Sequence, residues 1–168
     1  AVAGMTTAQV ANLSTDQVGA LSAAQLKALT TAQVVAITSA QAAVLTTTQM
    51  TGISATQMAA MQTADVAALS TAVISTLSAA QVQGMTTAQI EGLSSSQVSN
   101  MAATQLAALS STQLAAMQTD DLKQLGTAQL GYLNQKIFGG MGTAQIANMG
   151  TAQIGALGGL QVKQLSTA

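Results

Sequence analysis

Large apolar residues recur at every eighth position, from Met5 to Leu165, in all 21 possible places. A second apolar residue follows five places later, as Val10 follows Met5, in 20 of 20 octads if the small Ala42 is counted. The shared pattern is Leu-Ser/Thr-Thr-Ala-Gln-Val-x-x, and we number its positions one to eight from the large apolar residue. This self-similarity indicates a single octapeptide-repeat array over residues 1–168.

An eight-residue period excludes both a continuous helix and a regular strand. A helix advances about 100° per residue, so the apolar mark would move about 80° around the axis at each repeat. Spacings of five and three place the two apolar positions on opposite faces of a strand. The octad instead matches a helix start, with an apolar N′, Ser or Thr at N-cap, Gln at N3 and an apolar N4. This combination is a capping box with a hydrophobic staple.

The occupancy of the cap positions supports this interpretation. The N-cap position holds Ser or Thr in 13 of 21 octads, Gly in four and Asn134 once, and N3 holds Gln in 16 of 20. Asp65 and Asp121 are two of the departures at N3, and each follows a Gln at N-cap (Gln62 and Gln118). These two motifs, MQTAD at 61–65 and MQTDD at 117–121, suggest a longer period of seven octads.

The predicted fold class is therefore all-α, a solenoid of very short, two-turn helices with one helix per octad. Helices shorter than about 12 residues do not stand alone in water, so stacking must stabilise them. Small residues at position eight, such as Ala20, Gly52 and Gly84, would let successive helices approach closely. The alternative is a β-solenoid with 16-residue coils, although Ala, Leu, Met and Gln favour helix over strand.

The two ends and one internal octad depart from the regular repeat. Residues 1–4 and 165–168 are half octads, so we expect a segment of a longer array with open ends. The octad Leu133–Gly140 loses its N3 Gln to Ile137 and carries Phe138, the only Phe. Phe138 is either a docking knob, close to Tyr132, or part of a local repacking at a bend. Gly caps begin at Gly126, so 126–168 forms a possible drifted sub-array.

The composition excludes most kinds of catalytic and metal-binding chemistry. Only 5% of residues are charged, against about 25% in ordinary domains, and the chain has no Cys, His, Pro or Trp. Thiolate, imidazole and zinc chemistry of the usual kinds are thereby excluded. Four Lys, no Arg and a net charge of -1 make nucleic acid a poor partner. No apolar stretch reaches transmembrane length. We predict a non-enzyme with no catalytic, cofactor-binding or metal-ligating residues and no cofactor.

Four groups of polar residues remain as candidates for binding. The Gln column caps helices or forms an amide ladder between repeats, and the Thr column at position three is a candidate ice-binding surface. Asp65, Asp120 and Asp121 would bind a cation only poorly, because calcium takes six to eight oxygens. Lys27, Lys123, Lys163 and Glu91 share position seven, which we expect to face solvent. The two columns begin with Gln9, Gln17, Gln25 and Gln33, and with Thr7, Thr15, Thr31, Thr47, Thr63, Thr71 and Thr87.

Two resemblances extend this interpretation. LTTAQVVAITS, from Leu29 to Ser39, resembles the opening helix of TAL-effector DNA-binding repeats, but the longer period, base-reading loop and basic charge of that family are missing here. The whole array resembles the short Ala/Thr/Gln-rich tandem repeats of large secreted or surface proteins of bacteria. That resemblance implies a spacer or assembly module at the cell surface or outside the cell.

We therefore expect a structural protein that forms a rod or filament by stacking and end-to-end association with itself. The open ends and the low net charge favour self-association. The alternatives are an ice-binding surface and a glycan- or peptide-binding solenoid, for which position seven supplies the variable face.

Overall fold

The computed structural model describes residues 2–133 and 135–165, which fall into two compact units that meet in sequence between Met85 and Thr86. Each unit is a stack of short helices, and the described residues contain no strand. The all-α prediction is confirmed, and the β-solenoid alternative is not supported. Asn134 and Ser166, two of the predicted N-caps, lie outside the described residues.

Nearly every octad forms one α-helix of four to seven residues. The first unit begins with a 3-10 helix at Val2–Gly4, and its α-helices are α1 Thr7–Ala11, α2 Thr15–Gly19, α3 Ala23–Lys27, α4 Thr31–Val35, α5 Ser39–Ala42, α6 Thr47–Met50, α7 Ala55–Ala60, α8 Thr63–Ala68, α9 Thr71–Thr76 and α10 Ala79–Gly84. The second unit holds α11 Thr87–Glu91, α12 Ser95–Ser99, α13 Ala103–Ala108, α14 Ser111–Ala116, α15 Thr119–Gln124, α16 Thr127–Tyr132, a 3-10 helix at Gln135–Gly140, α17 Thr143–Ala147, α18 Thr151–Gly155 and α19 Gly159–Leu165.

The predicted capping box starts most of these helices. At α1 the Thr6 hydroxyl accepts from the Gln9 backbone N–H at 3.2 Å, while Gln9 Oε1 accepts from the Thr6 N–H at 2.7 Å. Where the cap is Ala102 or Gly126, only the second bond is possible, and it is present at 2.7 and 2.9 Å. The capping box therefore holds two of the N–H groups that a helix start leaves without partners.

The apolar residue at position one is the C-cap of several helices, and in most of the others the C-cap lies one or two residues earlier. Leu77, for example, has φ -58° and ψ 139°, so the chain turns from helical to extended one residue before the next N-cap. Its N–H still bonds back to the Ile74 carbonyl at 3.2 Å. Two extended residues, at positions one and two, thus separate successive helices and form a corner.

Within each unit, a helix packs on the helix three octads away. The contacting pairs in the first unit run from α1 with α4 to α7 with α10, and those in the second include α11 with α14 and α12 with α15. The 3-10 helix Gln135–Gly140 takes one helix place, because it packs on α14 and on α19. Each turn of the stack therefore contains three helices, one from each of three consecutive octads. This confirms one helix per octad. A turn of three octads is one octad longer than the 16-residue coil of the β-solenoid alternative.

Positions one and six form the core of the stack. Val34 and Met58 at position six are 0% exposed, and Ile37 and Met61 at position one are 3% exposed. Both rows point inward because a staple residue before the N-cap and the N4 residue lie on the same side of a helix start. The Gln at position five is also buried in most interior octads, which an apolar pattern does not predict.

Small residues at position eight allow close approach, but to the helix one turn earlier and not to the next helix in sequence. A Cβ built on Gly84 would lie 2.7 Å from the Ala55 carbonyl oxygen, and one on Gly140 would lie 2.7 Å from the Ser111 carbonyl oxygen. In both cases the partner is the N1 residue of the helix beneath. The prediction of close packing is confirmed, and its partner is corrected.

Phe138 occupies position six of the irregular octad and is 0% exposed. Its ring fills the core place that Val, Ile or Leu takes elsewhere, and Ile137 beside it is 6% exposed. The docking-knob hypothesis for Phe138 is therefore wrong, because the side chain is enclosed. Tyr132 does lie on the surface, with 48% of its area exposed.

A pair of glycine substitutions tests the close packing. Gly84→Ala should destabilise the protein by about 1–3 kcal/mol, because the new methyl group would push on the Ala55 backbone. Gly131→Ala is the control, since its Cβ meets nothing within 4 Å and helix propensity should stabilise it by up to about 1 kcal/mol. Urea unfolding followed by circular dichroism would contradict the packing if both variants shifted in the same direction.

Candidate functional site

A glutamine corner joins each turn of the stack to the turn beneath it. We use this term for an N3 Gln, its N-cap residue, and the chain reversal that lies under them one turn earlier. In the corner of Gln41, Oε1 accepts from the Thr38 N–H at 2.9 Å, and Nε2 donates to the carbonyls of Val10 at 3.0 Å and Leu13 at 2.7 Å. One side-chain amide thus starts its own helix and closes the end of another.

The same pattern of bonds recurs at the described corners. Gln57, which is 5% exposed, donates to the carbonyls of Leu26 at 3.1 Å and Leu29 at 2.7 Å. In the second unit Gln145 donates to the carbonyls of Leu114 at 3.0 Å and Met117 at 2.7 Å. Both predicted roles of the Gln column are therefore present, because capping uses the oxygen and the ladder between turns uses the nitrogen. Other corners are centred on Gln33, Gln49, Gln81, Gln129, Gln153 and Gln161.

Gln9, Gln17 and Gln25 make only the capping bonds of this arrangement within the described residues. They cap their own helices through Oε1, and their Nε2 atoms have no hydrogen bond to the part of the chain that the structure describes. The interior corners, in contrast, also use the carbonyls at positions six and one of the turn beneath.

Asp65 replaces Gln at one corner, where Gln62 supplies the amide donor to the turn beneath. Gln62 Nε2 donates to the Val35 carbonyl at 2.9 Å, and the Asp65 carboxylate accepts from the Ser39 hydroxyl at 2.7 Å and from the Gln62 backbone N–H. Asp65 Oδ2 is buried and has no hydrogen-bond partner. With Gln at the N-cap and Asp at N3, hydrogen bonds between the turns are kept, but one carboxylate oxygen is left without a partner.

The second unit contains the same exchange. Gln118 Nε2 donates to the Glu91 carbonyl at 2.8 Å, Ser95 donates to Asp121 Oδ1 at 2.6 Å, and Asp121 Oδ2 is buried without a partner. Ser39 and Ser95 are themselves seven octads apart, so the spacing of the two acidic motifs extends to the hydroxyl that each carboxylate uses. Sequence reasoning missed these serines, because only the stacking of turns brings a residue from the turn beneath against the aspartate.

Burial raises the pKa of Asp65 above its ordinary value, opposed by the hydrogen bonds from Ser39 and from the Gln62 backbone. A buried carboxylate resists ionisation because the low-dielectric interior disfavours charge. Because its folded-state pKa is raised, the contribution of Asp65 to stability is complete below the unfolded value of 3.8 and is lost as the pH rises through the folded value. Ionised Asp65 is thus a cost to the fold at neutral pH.

The remaining polar candidates lie mainly on the surface of the described residues. The described residues contain no group of three His, Cys, Asp or Glu side chains able to hold a metal ion. Asp120 is exposed and pairs with Lys123 at 3.1 Å. Lys27, Lys163 and Glu91 are exposed, as expected for position seven. The threonines are also exposed, and because each helix packs on the third one along, threonines three octads apart lie on the same stack of helices, as Thr7 and Thr31 do.

A surface groove of about 640 Å³ lies in the second unit. Its lining includes Glu91, Met117, Gln118, Gly140 and Gln145, with Glu91 as the one charged side chain among the lining residues. No aromatic ring lines it, so it lacks the stacking platform that sugar rings and bases commonly use. The groove adds no catalytic grouping to the corners.

These observations define an α-helical repeat protein in which hydrogen bonds from glutamine link the turns. Residues 58–95 and 138–167 match the model of a family described as the ALTTAQ repeat, and the two stretches cover less than half of the chain. The six letters of that description occur at residues 28–33, where they span position eight to the N3 Gln and hence one glutamine corner. Comparison with curated proteins and with solved structures gave no match.

No described helix combines the length and the apolar content needed to cross a membrane.

The double role of the glutamines can be tested with one substitution at two places. Gln57→Glu keeps an oxygen for the cap but puts a buried carboxylate against the Leu26 and Leu29 carbonyls. The free energy of unfolding should therefore fall by about 2–4 kcal/mol. Gln9→Glu is the matched control, since Gln9 is exposed and Glu is accepted in capping boxes. Its expected change is within about 0.5 kcal/mol. If urea unfolding showed the same loss of stability in both variants, the hydrogen bonds between turns would contribute nothing to stability.

Asp65→Asn should stabilise the protein at neutral pH by about 1 kcal/mol, because the neutral amide avoids the cost of burying a charged carboxylate. The advantage should shrink as the pH falls through the raised folded-state pKa toward 3.8, because the parent carboxyl then becomes neutral in the folded state. Thermal unfolding across this pH range measures the difference, and Asp16→Asn serves as a control at an exposed helix start. Parallel pH profiles for the parent and the Asp65→Asn variant would refute the assignment.

Proposed function

We propose that this chain is a non-enzymatic structural protein whose stacked octads build a rod or filament by self-association. The observation that carries the proposal is the glutamine corner, because the same amide bonds join consecutive turns at corner after corner of each unit. A repeat that uses the same link to the next turn at most of its corners is suited to extension by addition of further turns.

The use of the polar side chains supports a structural role. The buried Gln, Asp65 and Asp121 side chains are engaged in bonds between turns, so they are committed to the stack and not directed into a pocket. The exposed residues are mostly Ala, Thr, Ser and Gly, with few charges. Such a surface offers little chemistry for catalysis and little electrostatic repulsion between copies.

The family match supports a repeat protein, and the resemblance to bacterial surface repeats implies a role as a spacer or assembly module. We propose the cell surface or the extracellular space as its location. A lack of cysteine leaves such a protein independent of the redox state of its surroundings.

Sedimentation velocity at increasing protein concentration, with negative-stain electron microscopy of the same samples, tests self-association. We expect species larger than one 16.6 kDa chain that grow with concentration and with added sulfate, which strengthens apolar burial. The far-ultraviolet circular dichroism spectrum should stay helical throughout. A single species of one-chain size at every concentration up to the solubility limit would refute the self-association.

A further inference from the structure

Two buried carboxylates lack a positive partner. Asp65 and Asp121 are each 3% exposed, and Oδ2 of each is buried without a hydrogen-bond partner. Among the described residues the ion pair joins Lys123 to the exposed Asp120, so no described lysine pairs with either buried group. Buried charges in proteins are generally paired or coordinate a metal ion. Each carboxylate therefore needs a positive group that the described side chains do not supply.

The place of the unpartnered oxygen follows from the regular corner. In the corner of Gln57, Oε1 accepts from the N-cap N–H, and Nε2 donates to the carbonyls 31 and 28 residues earlier. The Asp65 carboxylate accepts from the N-cap N–H of Gln62 and, through Oδ1, from the Ser39 hydroxyl. Since Oδ2 takes part in neither bond, it corresponds to the amide nitrogen of the regular corner.

The carbonyls beneath this oxygen have no side-chain donor. Counting back 31 and 28 residues from Asp65 gives Val34 and Ile37, and no described side chain donates to either carbonyl. Gln62 Nε2 donates instead to the Val35 carbonyl, which lies between them in sequence. Asp is one methylene shorter than Gln, which leaves about 1.5 Å more room above the carbonyls. The corner therefore brings oxygen atoms together without a hydrogen atom to bridge them.

The second unit contains the same set of oxygens. Asp121 lies 28 residues after Leu93, and no described side chain donates to the Leu93 carbonyl. Gln118 Nε2 donates instead to the Glu91 carbonyl at 2.8 Å, and the Ser95 hydroxyl donates to Asp121 Oδ1 at 2.6 Å. Each unit thus has one acidic corner, with the same three kinds of oxygen in the same register.

A corner without an amide does not require a carboxylate. At α9 the N3 residue is Val73, which is 1% exposed and adds no charge to the interior. An apolar side chain at N3 avoids the cost of burying a carboxylate. The two aspartates, each with a Gln at the N-cap and a serine hydroxyl from the turn beneath, place a negative charge where the stack can be built without one.

We propose that each acidic corner binds a monovalent metal cation such as sodium. In the first unit its ligands are Asp65 Oδ2, the carbonyls of Val34 and Ile37, and the Ser39 hydroxyl, whose lone pairs stay available while its hydrogen bonds Oδ1. Oxygen ligands suit hard cations, and carbonyls at helix ends coordinate sodium in other proteins. One carboxylate balances one positive charge, whereas a divalent ion would leave an excess charge in the interior. The cation then joins two turns, as the amide nitrogen does at regular corners.

These ligands differ from those that the sequence suggested. The expectation of poor cation binding considered the three aspartates together, and the described residues indeed contain no group of three acidic side chains. The site proposed here uses one carboxylate, and its other ligands are carbonyls and a hydroxyl. Only the stacking of turns brings those oxygens beneath the aspartate.

Thermal unfolding in three chloride salts, at neutral pH and equal ionic strength, tests the proposal. We expect the melting temperature of the parent to be a few degrees higher in sodium or potassium chloride than in choline chloride. It should rise with the logarithm of the metal concentration, because the folded state alone binds the cation. Choline has the same charge but is too bulky for a buried site. Broadening of the sodium-23 resonance by the folded protein measures binding directly.

Two double variants separate the buried carboxylates from the exposed ones. Asp65→Asn/Asp121→Asn should lose both the salt dependence and the sodium-23 broadening, because the amide adds donors and removes the negative charge. Its advantage in stability over the parent should be largest in choline chloride. Asp16→Asn/Asp120→Asn is the matched control, since it removes one exposed carboxylate from each unit, and it should keep the dependence of the parent. Circular dichroism checks that both variants are folded.

Four results would overturn the cation site. The first is an equal melting temperature of the parent in all three salts, and the second is a salt dependence that survives in Asp65→Asn/Asp121→Asn. The third is a larger rise with calcium than with sodium, which would contradict the monovalent class. The fourth is a stability that rises on acidification and is the same in every salt, because protons alone would then neutralise the carboxylates. None of these results depends on whether the chain associates with itself.

Discussion

The glutamine side-chain amide is the interaction on which the rest of the structure depends. A helix of four to seven residues leaves most of its N–H and C=O groups without partners inside the helix, and it is far too short to be stable alone. Gln supplies hydrogen-bond partners at both ends. Its side-chain oxygen accepts from a backbone N–H at its own helix start, and its side-chain nitrogen donates to carbonyls at the end of another helix. The apolar rows then bury enough surface to hold the turns together.

The departures from the repeat show how strict this constraint is. Where Asp65 and Asp121 remove the amide, a Gln at the N-cap restores a donor to the turn beneath, and a serine hydroxyl from that turn serves the carboxylate. At α9 Val73 replaces the amide, and the cap is reduced to the Ser70 hydroxyl at 3.2 Å from the Val73 N–H. Each substitution is compensated by groups from a neighbouring turn or is confined to one corner.

Much of the local structure could be predicted because capping acts between residues three apart. Ser or Thr at the N-cap, Gln at N3 and the two apolar rows are sufficient to place a helix start in each octad, and the structure has these starts. The position-eight glycines indicated close packing but not its partner, since Ala55 and Ser111 belong to the turn beneath Gly84 and Gly140 and not to an adjacent octad. Phe138 gave no signal for burial, because a single aromatic residue in an irregular octad fits a core or a surface equally well.

The sequence by itself therefore determined the repeat, the helical class, the caps, the apolar rows and the solvent-facing column, all of which depend on neighbours within one octad. Only the tertiary structure decided that three octads make a turn. That number depends on how short helices joined by two extended residues close on themselves and pack, which no single octad specifies. It places the Gln nitrogens of the corners 28 to 31 residues from their carbonyls, as at Gln41, and brings Ser39 to Asp65.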